Sequence, residues 1–263
     1  MRSQVVDQVD VYLEDTYLTE VETQILATGR REDATAWVAA GRNPFHPQGG
    51  GQPADRGWID EWEVVPVRDP ATGLVTVTAR PGTGSTLADQ DGRAASAGHD
   101  DAPGLARRDG LAGLAEGTTV RARVDVEARL IHAALHTAGH LIEAIGRGQG
   151  WALAGNNHFP GQARIEFVAP EPDPRLDSPA GREELAGEFG AAVASAILAG
   201  PAVGVDHDAG GRRIVRLGDL HAAPCGGTHV RTLGDLADVV ISGMKVKKGR
   251  VRVSYSAAHG PRR

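Results

Sequence analysis

The hydrophobic pattern of the chain changes period near residue 126, and this change limits what the chain can fold into. Residues 1–80 contain short alternating or β-branched runs, such as TQILATGRR and LVTVTAR, separated by Gly, Asp and Pro. Such runs predict several short strands in a small barrel or sandwich. Residues 117–125 predict one more strand, which closes a first domain over residues 1–125.

A helical pattern begins after this domain. From Glu127 to Gly146, apolar residues recur every three or four positions, which predicts a helix. A second helix is predicted from Arg182 to Leu198, ended by Gly200 and Pro201. The segment from Gly150 to Gly161 has the composition of a polar loop, and β-branched runs around the second helix predict strands. Helices and mixed strands together predict an α+β domain over residues 126–263.

Residues 81–116 differ in composition from both predicted domains. They are rich in Gly, Ala, Asp and Ser and contain few large apolar residues. Because such a segment cannot bury a core of its own, it is predicted to be a flexible insertion. It either disturbs the predicted barrel or loops out from it.

Composition excludes several classes of protein. The 263 residues include 28 Lys and Arg and 34 Asp and Glu, which gives a net charge of −6. This charge excludes a protein that coats nucleic acid with a uniformly cationic surface, but it does not exclude a local basic patch. The single cysteine, Cys225, excludes an intramolecular disulfide framework. No apolar run reaches the roughly 18 residues of a membrane span, and the N-terminus is acidic, so a cytoplasmic location is expected.

Two short motifs predict a metal site. His136 and His140 lie four residues apart in the first predicted helix, so both imidazoles face one side. Cys225 and His229 flank two glycines that allow the chain to turn tightly. Three imidazoles and one thiolate form a donor set that suits zinc. The alternative is an inert buried cysteine and three unrelated histidines.

A glycine-rich segment lies in the first half. Residues 45–57 read FHPQGGGQPADRG, in which three glycines precede Gln52. This suits a backbone packed close to another surface, with an amide side chain available for hydrogen bonding. Taken alone, a glycine-rich turn of the barrel is the simpler interpretation. The segment is not a phosphate-binding P-loop, because no Gly-Lys-Ser/Thr follows.

Four segments in order resemble one family. The segments FHPQGGGQPADRG, RLIHAALHTAGHL, NNHFPGQARIEF and PCGGTHV are similar to the freestanding alanyl-tRNA editing proteins called AlaX, of the medium or long type. These proteins are related to the editing domain of alanyl-tRNA synthetase. The resemblance implies an N-terminal β-barrel followed by a two-layer α+β domain that holds zinc. It places the four zinc ligands on His136, His140, Cys225 and His229.

The resemblance also implies a reaction. Such proteins hydrolyse serine, and in some cases glycine, from wrongly charged tRNA(Ala), so the expected partner is the acceptor end of that tRNA and the expected cofactor is Zn²⁺. Gly50, Gly51 and Gln52 would lie near the editing pocket and help to tell serine from alanine. The chain departs from the family in the 81–116 insertion and in lacking an asparagine near Ala194.

Further pocket residues are predicted with an alternative role for each. The hydroxyl of Thr137 would test for the serine hydroxyl, or is merely packed. His158 and Glu166 lie in matching segments and would line the pocket, although His158 is equally compatible with an ordinary loop histidine. Glu143, one turn beyond His140, is interpreted as a solvated helix residue rather than a general base.

A basic segment near the C-terminus is a candidate tRNA contact. Five cationic residues fall within eight positions: Lys245, Lys247, Lys248, Arg250 and Arg252. On alternating strand positions they would present a stripe to tRNA phosphates. A solvated edge strand protected by charge is the competing interpretation.

Two other functions remain open from the residues. One is a non-catalytic, zinc-stabilised tRNA-binding module. The other is a zinc hydrolase of a small ester or amide, which would need no basic face.

Overall fold

The computed structural model describes residues 7–81 and 110–261. The chain divides into two compact units, each described separately: Met1–Gln48 with Ala54–Val126, and Gly49–Pro53 with Glu127–Arg263. The short glycine-rich segment Gly49–Pro53 therefore packs with the second unit, whereas the sequence places it in the first domain. Its neighbours on both sides remain part of the first unit.

The first unit is a closed barrel of six strands: β2 (Glu20–Arg30), β3 (Ala36–Ala40), β5 (Gly57–Ile59), β6 (Trp62–Arg68), β7 (Val75–Ala79) and β8 (Thr119–Val124). The strand order around the barrel is β2-β3-β7-β6-β5-β8, and every neighbouring pair is antiparallel. Two short strands, β1 (Val9–Asp10) and β4 (Arg42–Asn43), pair in parallel beside it. The predicted N-terminal barrel is confirmed, and the sandwich alternative is excluded.

Alternation along the strands fills the barrel. In β8, Val120, Ala122 and Val124 are buried while the residues between them are more accessible, as a half-buried strand requires. Leu111 joins this core from a short 3-10 helix, Gly110–Gly113. The last part of the predicted flexible insertion is thus ordered against the barrel. Residues 82–109 of that insertion lie outside the described residues.

The second unit combines two helices and two antiparallel sheets among its described residues. The helices are α1 (Val126–Gly148) and α2 (Pro179–Ala199). A four-stranded sheet, ordered β14-β15-β10-β9, consists of β9 (Ala152–Asn157), β10 (Arg164–Val168), β14 (Leu236–Lys247) and β15 (Arg250–His259). A three-stranded sheet consists of β11 (Val203–His207), β12 (Arg213–Leu217) and β13 (His221–Pro224). This architecture confirms the predicted α+β class.

Both predicted helices form, with one or a few more residues at each end. Ser178 caps α2, because its hydroxyl accepts a hydrogen bond from the backbone N–H of Gly181, and Pro179 occupies the first turn. Gly200 ends α2 in the left-handed conformation, at φ 58°. Neither α1 nor α2 combines enough length with enough apolarity to span a bilayer.

The prediction of a loop from Gly150 to Gly161 is wrong for the middle of this segment. Residues Ala152–Asn157 form strand β9, which pairs antiparallel with β10 at the edge of the sheet. Its sequence, ALAGNN, lacks the apolar alternation of a strand because it is an edge strand with no residue in the buried core. Backbone pairing with β10 therefore determines its conformation.

The core of the second unit lies between α1, α2 and one face of the four-stranded sheet. Leu141 and Ile142 of α1 belong to the same buried cluster as Ile165 and Phe167 of β10. Because side chains alternate along a strand, the intervening residues of β10 and β15 lie on the other face of the sheet. This alternation separates the helix-covered face from the second face.

Gly146 is expected to be required where α1 meets the sheet. A Cβ at this position would lie 2.5 Å from two ring atoms of Phe167, whereas Gly148, two residues on, has open space around it. Gly146→Ala should lower the free energy of unfolding by about 1–3 kcal/mol through overpacking. Gly148→Ala should leave it unchanged or raise it, since alanine is the better helix former. Urea unfolding of the two variants measures the difference; equal stabilities would contradict this packing.

Candidate metal centre

Four potential ligands converge in the second unit. His136 and His140 come from α1, and Cys225 and His229 from the loop after β13; their ligand atoms all lie within 4.8 Å of one another. The Sγ atom of Cys225 is 3.4 Å from Nε2 of His136 and 3.3 Å from Nε2 of His229. Tetrahedral zinc, with bonds of about 2.0–2.3 Å, would place nitrogen and sulfur ligands about 3.5 Å apart. The donor set and its spacing therefore suit a tetrahedral metal ion.

His136 is oriented by the amide of Gln52. The oxygen Oε1 of Gln52 lies 2.7 Å from Nδ1 of His136 and also accepts the backbone N–H of Thr228 at 3.0 Å. The amide nitrogen of Gln52 donates to Oγ1 of Thr228 at 3.0 Å, and the backbone N–H of Thr228, which can only donate, fixes which end of the amide is oxygen. Since an oxygen cannot donate here, Nδ1 of His136 carries the proton and Nε2, facing Cys225, carries the lone pair.

His229 is oriented in the same way by Thr137. The Thr137 hydroxyl donates to the carbonyl of Ala133 at 2.8 Å and accepts the backbone N–H of Val230 at 3.2 Å. Its one hydrogen is used, so Nδ1 of His229, 3.1 Å away, must donate to it. Nε2 of His229 then faces Cys225 with its lone pair. This fully buried hydroxyl, with three partners, orients a candidate ligand.

His140 also has a partner on its second nitrogen. Its Nδ1 lies 3.2 Å from Nε2 of His221, and the carboxylate of Glu143 lies near both rings. Burial, with charge repulsion from His221, His158 and Arg213, lowers the pKa of His140 to about 3. The imidazole is therefore neutral at physiological pH, which is the form that binds metal.

The glycine-rich segment forms a tight turn that positions Gln52. Gly49 and Gln52 pair through two backbone hydrogen bonds, and the turn between them has Gly50 at φ 56° and Gly51 at φ 80°. Positive φ at both central residues favours glycine. The carbonyl of Gly51 accepts the backbone N–H of His158 at 2.8 Å, and a side chain at Gly51 would overlap Asn156. The turn therefore packs closely against the end of strand β9 within the second unit.

His158 lies beside the cluster. Its ring stacks on that of His136, with centroids 4.3 Å apart. The hydroxyl of Tyr255 donates to the carbonyl of Leu135 at 2.9 Å and so accepts Nδ1–H of His158 at 2.7 Å. Burial lowers the pKa of His158 to about 4. Its neutral ring thus presents Nε2 as an acceptor with no hydrogen-bond partner among the described residues.

The loop that carries Cys225 is held by Arg213 of β12. This guanidinium donates to the carbonyls of Cys225, at 2.6 Å, and Gly227, at 3.2 Å. Burial raises the pKa of the Cys225 thiol, whereas the backbone N–H of Gly227, 3.3 Å from Sγ, and the charge of Arg213 lower it. A bound cation would shift this balance to the thiolate.

Comparison with known proteins adds to this geometry. Residues 213–254, which contain Cys225 and His229, match the family described as the threonyl and alanyl tRNA synthetase second additional domain. The chain is 25% identical to the alanyl-tRNA editing protein AlaX-M of Pyrococcus horikoshii, over 87% of this chain and 88% of that protein. It is 26% identical to AlaX-M of Methanosarcina mazei, over 94% of this chain and 95% of that protein.

The chain resembles AlaX-M along most of its length. The resemblance inferred from the four motif segments is thereby confirmed. The chain is also 27% identical to the alanine–tRNA ligase of Acidothermus cellulolyticus over 78% of its own length. It spans 22% of that ligase, so this match, unlike those to the AlaX-M proteins, is to part of a larger protein.

The structure brings some of the other predicted residues to the cluster and leaves others elsewhere. Gln52, Thr137 and His158 surround the four candidate ligands. Glu166 lies on the opposite face of the four-stranded sheet, where its carboxylate pairs with three guanidinium groups, those of Arg164, Arg250 and Arg252. Hydrogen bonding from Arg164 and Arg252 keeps the pKa of Glu166 below its ordinary value.

The basic segment lies on this same second face. A shallow recess of about 440 Å³ is lined by Glu166, Lys247, Lys248, Arg250 and Arg252. Lys245 is the strand partner of Arg252, and Lys247 that of Arg250. The lysines and arginines thus form a cationic surface that is distinct from the metal cluster within the second unit.

The sequence did not reveal several residues around the cluster. His221, Arg213 and Tyr255 lie on strands, and their partners are separated along the chain by about ten to 120 residues, so no local motif signals them. Glu143 was interpreted as solvated, which is wrong, because it is 4% exposed and lies against His140 and His221. Its spacing of three residues from His140 on a helix was the one available signal.

Gly227 is expected to be essential for metal binding and Gly226 dispensable. A Cβ at Gly227 would overlap the ring of His136, whereas a Cβ at Gly226 meets nothing within 4 Å. Gly227→Ala should weaken Zn²⁺ binding by at least tenfold, because the ring or the loop must move. Gly226→Ala should bind Zn²⁺ as the wild type does. Competition with a chromophoric chelator measures both affinities, and equal affinities would contradict this geometry.

Proposed function

We propose that this chain deacylates mischarged tRNA(Ala), hydrolysing the ester of Ser-tRNA(Ala) and, as a second substrate, that of Gly-tRNA(Ala). The cofactor is Zn²⁺, bound by His136, His140, Cys225 and His229. The observation that carries the proposal is the convergence of three imidazoles and one thiol, with every Nδ1 of the three histidines held by a partner. The relatives of similar length are named alanyl-tRNA editing proteins, which supports the substrate class.

The metal supplies charge to the reaction. Bound Zn²⁺ would polarise an ester carbonyl or lower the pKa of a water by expanding its coordination beyond the four protein ligands, which alone would fill a tetrahedral site. Three of its four ligands would be imidazoles, and the tautomers of two of them, His136 and His229, are fixed by their partners, so these two present lone pairs without reorganisation when the ion binds. Gln52 and Thr137 act here as positioning residues, since their polar atoms are committed to His136, His229 and the backbone.

His158 is the residue that we assign to the substrate. Its Nε2 accepts a hydrogen bond, and Tyr255 holds the ring by Nδ1. With a pKa of about 4 the ring stays neutral near pH 7, so it orients a donor group of the substrate or of the attacking water rather than storing a proton. The stacking on His136 places this acceptor beside the metal ligands.

Selection of serine over alanine follows from polar contacts. Alanine is the smaller molecule, so a pocket with apolar walls alone would not reject it. A site that hydrogen-bonds the serine hydroxyl leaves buried polar atoms unpaired when alanine binds, and such sites discriminate by up to about 10⁴–10⁵. Nε2 of His158 is a polar atom of this kind.

The cationic surface is assigned to tRNA. Five cationic residues and one carboxylate, that of Glu166, lie on the same side of the sheet. The cationic residues are Lys245, Lys247, Lys248, Arg250 and Arg252. Phosphate contacts of this kind give affinity without sequence selection and are weakened by salt. The protein as a whole carries a net charge of −6, so binding should be confined to this surface.

Release of labelled serine from Ser-tRNA(Ala) tests the function. The wild type should release serine rapidly and leave correctly charged Ala-tRNA(Ala) intact. Cys225→Ala, or removal of Zn²⁺ by a chelator, should abolish release, because one ligand or the metal is lost. Restoring Zn²⁺ should restore the wild type but not the variant.

Each other outcome supports a different function. Zinc-loaded protein that binds tRNA without releasing serine or glycine would support the zinc-stabilised tRNA-binding module. Hydrolysis of small esters that free tRNA does not inhibit would support a small-ester hydrolase. Either result would refute tRNA editing by this chain.

Charge reversal tests the tRNA surface. Lys247→Glu with Arg250→Glu, a pair of facing strand residues, should raise KM for Ser-tRNA(Ala) and leave kcat nearly unchanged. The salt dependence of log Kd should fall by about one unit of slope per lost phosphate contact. Arg212→Glu with Arg216→Glu, an equal charge change at two exposed arginines outside this sheet, serves as the control. Equal KM values in the two proteins would argue against this surface.

A further inference from the structure

A second group of buried polar side chains lies behind His140. Nδ1 of His140 is 3.2 Å from Nε2 of His221, and Oε2 of Glu143 lies 3.8 Å and 3.7 Å from these two nitrogens. Arg147 binds the other carboxylate oxygen of Glu143, at 2.8 Å and 2.9 Å. His140, Glu143 and His221 are each no more than 8% exposed. None of the motif segments contains His221.

The hydrogen bond between the two imidazoles has a required direction if His140 binds a metal. Because Nδ1 of His140 faces His221, a metal would be bound through the Nε2 lone pair, so the proton must be on Nδ1. Nδ1–H of His140 then donates to Nε2 of His221. The reverse arrangement would leave the proton on Nε2 of His140 and prevent binding.

Glu143 stabilises the hydrogen bond between the two imidazoles. Its Oε2 lies 3.8 Å from Nδ1 of His140 and 3.7 Å from Nε2 of His221, so the carboxylate charge stabilises the proton between these nitrogens. Arg147 holds the carboxylate by its other oxygen, so Oε2 remains directed at the imidazoles. Carboxylate and histidine partners of this kind raise the basicity of a metal-binding imidazole and fix its orientation.

We infer that His221, supported by Glu143 and Arg147, is a positioning residue that sets the zinc affinity of His140. This inference rests on the zinc site of the proposed function. It also explains why a carboxylate is buried one turn beyond the metal-binding pair of α1. His136 and His229 receive the same support from Gln52 and Thr137, so each of the three histidine ligands has its own partner.

A second cation among His140, Glu143 and His221 is the competing interpretation, because their ligand atoms also lie within 4.8 Å of one another. It would require His140 to bind one metal through each nitrogen and to lose both ring protons. Loss of both protons would leave His140 as an imidazolate anion, whereas the hydrogen bond to His221 keeps one proton on the ring, which favours the positioning role.

The test is the zinc affinity of His221→Leu, His221→Gln and Glu143→Gln, measured by chelator competition. His221→Leu should weaken binding by about 10–100-fold, the usual effect of removing such a partner. His221→Gln should recover most of the affinity, because its amide oxygen accepts the same hydrogen bond. Glu143→Gln should give an intermediate loss. His207→Leu removes an exposed histidine from the same three-stranded sheet and should bind as the wild type does.

Two further measurements separate positioning from structural support. Zinc should raise the unfolding midpoint of His221→Leu less than that of the wild type, because the variant binds zinc more weakly, and the Co²⁺-loaded variant should show altered ligand-field bands. Wild-type affinity in His221→Leu would overturn the inference alone, leaving the zinc site intact. Two zinc ions per wild-type chain, one of them lost in His221→Leu, would also overturn it. No zinc binding by the wild type would refute both the inference and the proposed cofactor.

Discussion

The packing of α1 against the four-stranded sheet is the interaction on which the candidate site depends. Leu141 and Ile142 of α1 share a buried core with Ile165 and Phe167, and full burial of such a side chain contributes about 1.5–3 kcal/mol. This packing fixes the rotation of α1 about its axis. His136 and His140 consequently face the loop that carries Cys225 and His229.

The second requirement is that polar groups buried by this packing find partners. Gln52, Thr137 and His221 each hold Nδ1 of one histidine, and the backbone satisfies the remaining atoms of Gln52 and Thr137. Fully satisfied buried networks are rigid, whereas an unpaired member would be costly. The bonds to Gln52 and Thr137 also fix the tautomers of His136 and His229, so that these two imidazoles are organised for a cation before one binds.

The two faces of the four-stranded sheet separate two kinds of chemistry. The alternation of side chains turns Ile165 and Phe167 toward the helices and Glu166 toward the arginines on the other side. Charge accumulates on the face where solvent screens it, whereas α1, which carries two of the candidate metal ligands, packs on the buried face. The surface assigned to tRNA phosphates and this helix thus lie on opposite sides of one sheet.

The sequence by itself predicted the barrel, both helices and the two motifs that supply the four candidate ligands, because each depends on a pattern within one short segment. It did not determine strand β9, the assignment of Gly49–Pro53 to the second unit, or the roles of His221, Glu143 and Arg213. Those features depend on which distant segments meet: edge pairing fixes β9, and a hydrogen bond over 84 positions joins Gln52 to His136. Hydrophobic periodicity indicates which face of a helix or strand is buried. Only the folded chain decides which polar atoms of distant segments lie against that face.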